Sequence, residues 1–298
     1  MSAPIAINNR YGAALLVAAA SLFTLDVTLL RFLSPDVPFT QIIFFRSACQ
    51  LVIVALWIGV RQPALFRSTR WPKLVLRGLT SLLCWWLYYA SFQRLELALA
   101  STLTFTTSLF VVAMAPLVLG EKISVWRWLT TGAGFIGVII ASKITGLNIE
   151  LGVLFGLGSA FAAAILIFQN RVLARTEHTA TIMFWIGLVA TSGTMPMAIV
   201  SWTGLSPIDV LLLVTASTLA TVGMLLTVEA YRFGEVSALA TFPYLRILFA
   251  IGIGYFVFAE IAAPREWIGA TIIIICGLLA NERRRPVVPQ EKPLGINN

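Results

Sequence analysis

The segment GEKISVWRWLTTGAGFIGVIIAS, residues 120–142, returns in altered form as AEIAAPREWIGATIIIICGLLAN, residues 259–281. Glu121 falls on Glu260 and Trp128 on Trp267 at a shift of 139 positions. The same shift carries Phe92 to Tyr231, Glu96 to Glu235, Thr102 to Thr241 and Phe105 to Tyr244. Any two apolar helices share Leu and Ile, but this single ungapped register aligns polar and aromatic landmarks. It reads as an internal duplication.

The duplication sits in a chain made for lipid. Of 298 residues, 59% are hydrophobic and 11% are charged, against about 25% charged in an ordinary soluble domain. Mean hydropathy is +0.90. Apolar runs long enough to cross the hydrocarbon, about 20 residues as a helix, recur along the whole chain. The spacing predicts ten spans, near 11–30, 38–60, 73–93, 97–119, 124–142, 150–170, 179–201, 207–231, 236–258 and 264–281. Helix is the state that satisfies backbone groups in lipid, and the short alternating segments of a membrane barrel are missing. Arg10 and the run after it imitate a signal peptide, but the apolar stretch continues to Leu30, which suits a span.

A shift of 139 divides ten spans into two sets of five. Five is odd, so the second set enters the membrane from the opposite side. The expected architecture is therefore all-α and polytopic, with ten transmembrane helices arranged as two inverted five-helix repeats. The units expected are residues 1–146, residues 147–282 and a polar cytoplasmic tail at 283–298, Pro-rich and disordered in composition. Basic residues agree with one orientation. Arg10, Arg61, Arg67, Arg70, Lys73, Lys122, Arg127, Arg171, Arg175, Arg232, Arg283, Arg284, Arg285 and Lys292 fall on one side. Arg31, Arg94, Lys143 and Arg265 fall on the other. The positive-inside rule then puts both termini in the cytoplasm.

Several functions lack their parts. Net charge is +8, but the basic residues flank apolar runs, so lipid rather than nucleic acid is the expected partner. Cys49, Cys84 and Cys276 are scattered within those runs, and His178 is the single histidine. No disulfide framework or metal spacing follows from such a set, and no P-loop is present. An intramembrane enzyme would need a reactive pair at depth, and only the isolated Asp26 and Glu229 offer themselves. No cofactor is expected, and the oligomeric state is left open.

The two quoted segments resemble the ends of the repeat units of the drug/metabolite transporter superfamily, in its ten-helix EamA-like branch. The shared pattern is an acidic residue, then a tryptophan, then a last helix rich in small residues. SLFTLDVTLLRFL (21–33), FFR (44–46) and LALASTLTFTTSLF (97–110) are similar to that family's first, second and fourth helices. Ser108 departs from it, standing where many relatives carry proline. The resemblance implies a carrier for small metabolites, often an exporter of amino acids, in a bacterial inner membrane and without ATP.

The polar residues inside the spans then carry the functional reading. Arg246 lies in TFPYLRILFAIGIGYFVF (241–258), ten residues into the ninth span. On a straight helix that is about 15 Å deep, where a charge costs at least ~2.5–3.5 kcal/mol. A wet cavity or a partner relieves that cost, so Arg246 is expected to line a central pathway and hold a substrate carboxylate. The alternative is a structural arginine paired with an acid or with helix carbonyls.

Asp26 and Arg46 are close enough in depth to pair, as a structural ion pair or as a proton-coupling one. Trp85 and Tyr89 share a helix face in CWWLYYASFQ (84–93) and could stack on a substrate, or simply pack the core. Thr102, Phe105, Thr241 and Tyr244 hold equivalent places in spans four and nine and would form a symmetric pocket. The expected activity is secondary export of small amphiphilic metabolites such as amino acids. Uptake of a larger cofactor-like metabolite such as S-adenosylmethionine, and a non-transporting membrane scaffold, are the rivals.

Overall fold

A computed structural model describes residues 7–92, 94–95, 103–141, 151–259 and 264–282. The described chain is helical throughout, with no strand among the described residues. Its helices are α1 (Asn9–Leu30), α2 (Phe39–Arg61), α3 (Trp71–Phe92), α4 (Thr107–Leu119), α5 (Val125–Ala141), α6 (Leu151–Ala174), α7 (Thr179–Val200) and α8 (Pro207–Phe233). The ninth span is divided into α9 (Val236–Leu239), a 3-10 turn (Phe242–Tyr244) and α10 (Leu245–Phe258), and α11 (Pro264–Glu282) follows. The tail from residue 283 lies outside the described residues.

Six spans are long and apolar enough to cross a membrane on length and hydropathy alone, and three shorter apolar helices accompany them. The remaining span, α3, carries Lys73, Arg77 and an aromatic run, which lower its hydropathy. Large apolar side chains such as Val60, Leu117, Val200 and Phe256 stand fully on the outer surface. Such a surface would associate in water and matches lipid instead.

The two five-helix halves intercalate. α1 packs most extensively on α8, and α3 on α6; α3 also meets α7 while α2 meets α8; α4 meets α6 while α1 meets α10. Exchanging the halves turns the first contact of each of these three pairs into the second. The pairs α2–α7 and α5–α11 map onto themselves, which an inverted repeat permits only if each runs antiparallel. They do: the Trp126 indole at the start of α5 donates to the Leu279 carbonyl near the end of α11, 3.0 Å away. Gln41, early in α2, donates to the Thr203 carbonyl beyond the end of α7, at 3.1 Å.

Backbone conformation repeats too. The positive-φ residues among those described are Gly120, at 65°, and Ala259, at 52°. They stand 139 positions apart and end α4 and α10 respectively. Small residues bring helices together where the halves interleave. A Cβ on Gly156 would come within 2.6 Å of Leu103, and one on Gly137 within 3.0 Å of the Gly269 carbonyl.

Two spans differ from the continuous helices that the sequence suggests. The ninth bends where Pro243 removes a backbone donor, so Arg246 is the second residue of a new helix rather than the eleventh of an old one. The fourth is interrupted at Thr106. There the Thr106 and Thr107 hydroxyls donate to the Leu103 and Thr104 carbonyls, both at 2.6 Å. Such back-bonding bends helices.

Candidate functional site

Asp26 faces inward from α1 and is 2% exposed; Arg46 of α2 meets it at 2.8 Å and keeps 25% of its side chain open. The buried acid is thereby occupied by a cation from the neighbouring helix, as the sequence suggested. The Arg46 guanidinium then lies over two rings, 5.9 Å from the centre of Phe23 and 5.6 Å from that of Trp85. Trp85 and Tyr88 meet edge to face at 6.1 Å. Both are half-buried.

Arg246 enters the same neighbourhood from α10. Its guanidinium lies 5.6 Å from the centre of Phe23, within electrostatic range of Tyr88, Arg46 and Asp26. Groups from α1, α2 and α3 therefore surround it, yet its side chain is exposed. A guanidinium set among groups of three helices, on a residue that keeps exposure, is a candidate contact for a ligand. Among the described residues Arg246 has no hydrogen-bond or ion-pair partner beyond this cation–π contact. Two guanidiniums thus lie near the ring of Phe23, one paired with a carboxylate and the other without an ion pair among the described residues.

The other expected residues are distributed differently. Tyr244 is fully buried, its hydroxyl donating to the Thr131 carbonyl at 3.4 Å. Its ring meets that of Phe105 at 5.9 Å, edge to face. Both pack with Val138 and Ile273. Thr241 is 3% exposed and its hydroxyl has no partner among the described residues. In this conformation these three are packing groups apart from Arg246, because Tyr244 turns toward α5 and α11 while Arg246, two residues on, turns toward α1. Thr102 and the Tyr89 side chain lie outside what the structure describes.

Sequence reading missed Phe23 and Tyr88. Each stands three residues from a residue it did select, Asp26 and Trp85, which on a helix is the same face. It also missed three buried polar arrangements. Arg77, 1% exposed, bonds Asn170 at 2.9 Å and also Ser81, joining α3 to α6. Arg171 donates to the Tyr231 and Arg232 carbonyls at 2.6 and 2.7 Å, satisfying orphan acceptors at the end of α8.

The third arrangement ties helix ends together at one end of the bundle. Glu121, in the α4–α5 connector, accepts from the Val236 and Ser237 amides at 3.1 Å each and from the Ser237 hydroxyl. Arg127 pairs with Glu235 at 2.5 Å and donates to Ser237 at 2.6 Å. Glu229, near the same end, bonds Thr179 and pairs with Arg232 at 3.1 Å. No group of three potential metal ligands occurs among the described residues.

Comparison with known proteins agrees with this architecture. The chain matches the EamA-like transporter family over residues 10–143 and again over residues 150–281. It is 25% identical over 283 residues to the pseudopaline exporter CntI of Pseudomonas aeruginosa, covering 93% of this chain and 98% of that one. It is 23% identical over 236 residues to the S-adenosylmethionine uptake transporter of Rickettsia prowazekii, covering 78% and 80%. The riboflavin transporter of Vibrio cholerae is 24% identical over 243 residues, covering 80% and 81%. A crystal structure of a protein with 14% sequence identity superposes with a TM-score of 0.78 over 90% of this chain and 96% of that one, a likeness of fold.

Proposed function

The chain belongs to the EamA-like transporter family, and from that membership we propose a secondary carrier that exports amino acids and their carboxylate-bearing derivatives across a bacterial inner membrane. Both termini lie in the cytoplasm, following the basic residues that gather on one side. The halves, residues 1–146 and 147–282, move against each other to give alternating access. The observation that carries the reading is Arg246: an exposed residue whose guanidinium has no ion pair of its own among the described residues and stands close to groups of α1, α2 and α3. Its planar fork suits a carboxylate, and Phe23, Trp85 and Tyr88 supply an apolar wall for the rest of the molecule. Phe105, Thr241 and Tyr244, fully or partly buried in this conformation, support the bend of the ninth span on which Arg246 rides.

The test is counterflow of labelled amino acids in proteoliposomes, with surface expression followed in parallel. Arg246→Ala abolishes exchange and Arg246→Lys restores little of it, because an ammonium lacks the two-pronged geometry. Unchanged transport by a normally expressed Arg246→Ala protein rejects the reading.

A further inference from the structure

Charge around Arg246 and Arg46 sums unequally. Asp26 is already held by Arg46 at 2.8 Å and is 2% exposed, so an incoming ammonium cannot reach its carboxylate without displacing a guanidinium. Arg246 has no acid of its own among the described residues. The Phe23 ring lies 5.9 Å from the Arg46 guanidinium and 5.6 Å from that of Arg246, and the two cations act on one another electrostatically, so a ligand seated beside that ring lies in the field of both. The site therefore presents one uncompensated positive charge beside three aromatic rings. A zwitterion would satisfy Arg246 with its carboxylate while bringing its ammonium among two guanidiniums. A monoanion leaves the site neutral.

We infer that the preferred ligands are net monoanions carrying a planar or aromatic body, such as aryl carboxylates and N-acylated amino acids, in preference to free zwitterionic amino acids. This rests on the carboxylate-carrier reading and narrows it. Arg46 and Asp26 then set the charge of the accepted molecule: Arg246 grips the carboxylate, and the Asp26–Arg46 pair fixes how much further charge is welcome. Removing Arg46 makes the site neutral and favours zwitterions. Removing the charge of Asp26 makes it doubly positive and favours dianions.

The experiment uses the full-length protein in detergent micelles and isothermal titration with four probes sharing a phenyl body. They are N-acetylphenylalanine (monoanion), phenylalanine (zwitterion), phenylalanine amide (cation) and phenylsuccinate (dianion). In the unmodified protein the monoanion binds at least about tenfold more tightly than the zwitterion, and the amide does not bind. Arg46→Gln shifts the ratio toward phenylalanine, and Asp26→Asn shifts it toward phenylsuccinate. The two variants probe opposite signs on different helices, so loss of folding in one leaves the other decisive; elution profile and melting temperature identify such a loss. Phenylalanine binding as tightly as its N-acetyl form, with both abolished by Arg246→Gln, overturns the monoanion preference and leaves the carboxylate carrier standing. Binding of none of the probes overturns both.

Discussion

Gly120 and Ala259 take the same left-handed backbone conformation 139 residues apart, each ending the helix that its half of the chain contributes to the bend. Both copies of the duplicated fold hold the conformation, but only one of them holds it with glycine, which adopts it without strain. An L-residue in this region costs roughly 1–2 kcal/mol, and glycine does not bear that cost. Ala259→Gly is therefore expected to stabilise the protein by about 0.5–1 kcal/mol after the added freedom of the unfolded chain is subtracted. Gly120→Ala is expected to destabilise it by about 1 kcal/mol; nothing lies within 4 Å of the added methyl, so the change is conformational alone. Opposite shifts in thermal unfolding in detergent check the pair, and shifts of one sign contradict it.

Glu121 ties the start of the ninth span to the α4–α5 connector through two amides and a hydroxyl. Glu121→Ala leaves those buried donors unsatisfied, at about 1–3 kcal/mol. The expected result is faster maleimide labelling of a cysteine placed at Ser237, together with altered exchange rates. Glu121→Gln, which keeps an acceptor, should label more slowly than the alanine variant. Equal labelling in all three proteins would show that the carboxylate does not hold the ninth span against the connector.

Gly134 faces the Tyr244 ring so closely that an added Cβ would lie 2.8 Å from two ring atoms. Gly134→Ala is expected to destabilise by about 1–3 kcal/mol through overpacking. Tyr244→Leu should cost less in the Gly134→Ala background than in the unmodified protein, because the shorter side chain makes room for the methyl. A double-mutant cycle on unfolding midpoints reads this coupling directly. Strict additivity would mean that the two groups do not press on one another.

Arg171 satisfies the last carbonyls of α8 from within α6. Arg171→Met keeps the length of the side chain and removes its donors, so it should lower stability by roughly 3 kcal/mol. Arg171→Lys should recover part of this, since an ammonium can still donate. Thermal unfolding ranks the three, and a methionine variant as stable as the unmodified protein would contradict the capping role.

The fold was largely legible in the sequence because polar landmarks at a fixed shift survive where apolar composition carries no address. Glu121 and Trp128 gave the register, and an odd number of spans per unit gave the inversion. Asp26 and Arg46 were legible as a pair because two charges in adjacent spans at similar depth have few other partners. Two features escaped. The break in the fourth span depends on threonine hydroxyls returning to the backbone at Thr106 and Thr107, a choice that threonine leaves open on any helix. The separation of Tyr244 from Arg246 follows from helix geometry, since residues two apart do not share a face, and only the packing shows which neighbours each one meets. Phe23 and Tyr88 were obscured for a simpler reason: an aromatic residue in a span can face lipid, core or cavity, and the neighbouring helix decides which.

The interleaving of the halves also has a consequence for biosynthesis. The amide of Asn8 bonds to the carbonyl of Phe233, so α1 docks on a helix that emerges from the ribosome well over a hundred residues later. At about 5–20 residues per second the wait is roughly 10–45 s. Asp26 need not spend it alone, because Arg46 follows on the very next helix and can neutralise it as a hairpin inside the translocon. The same ion pair would then also serve as the permit by which a charged helix is released into lipid.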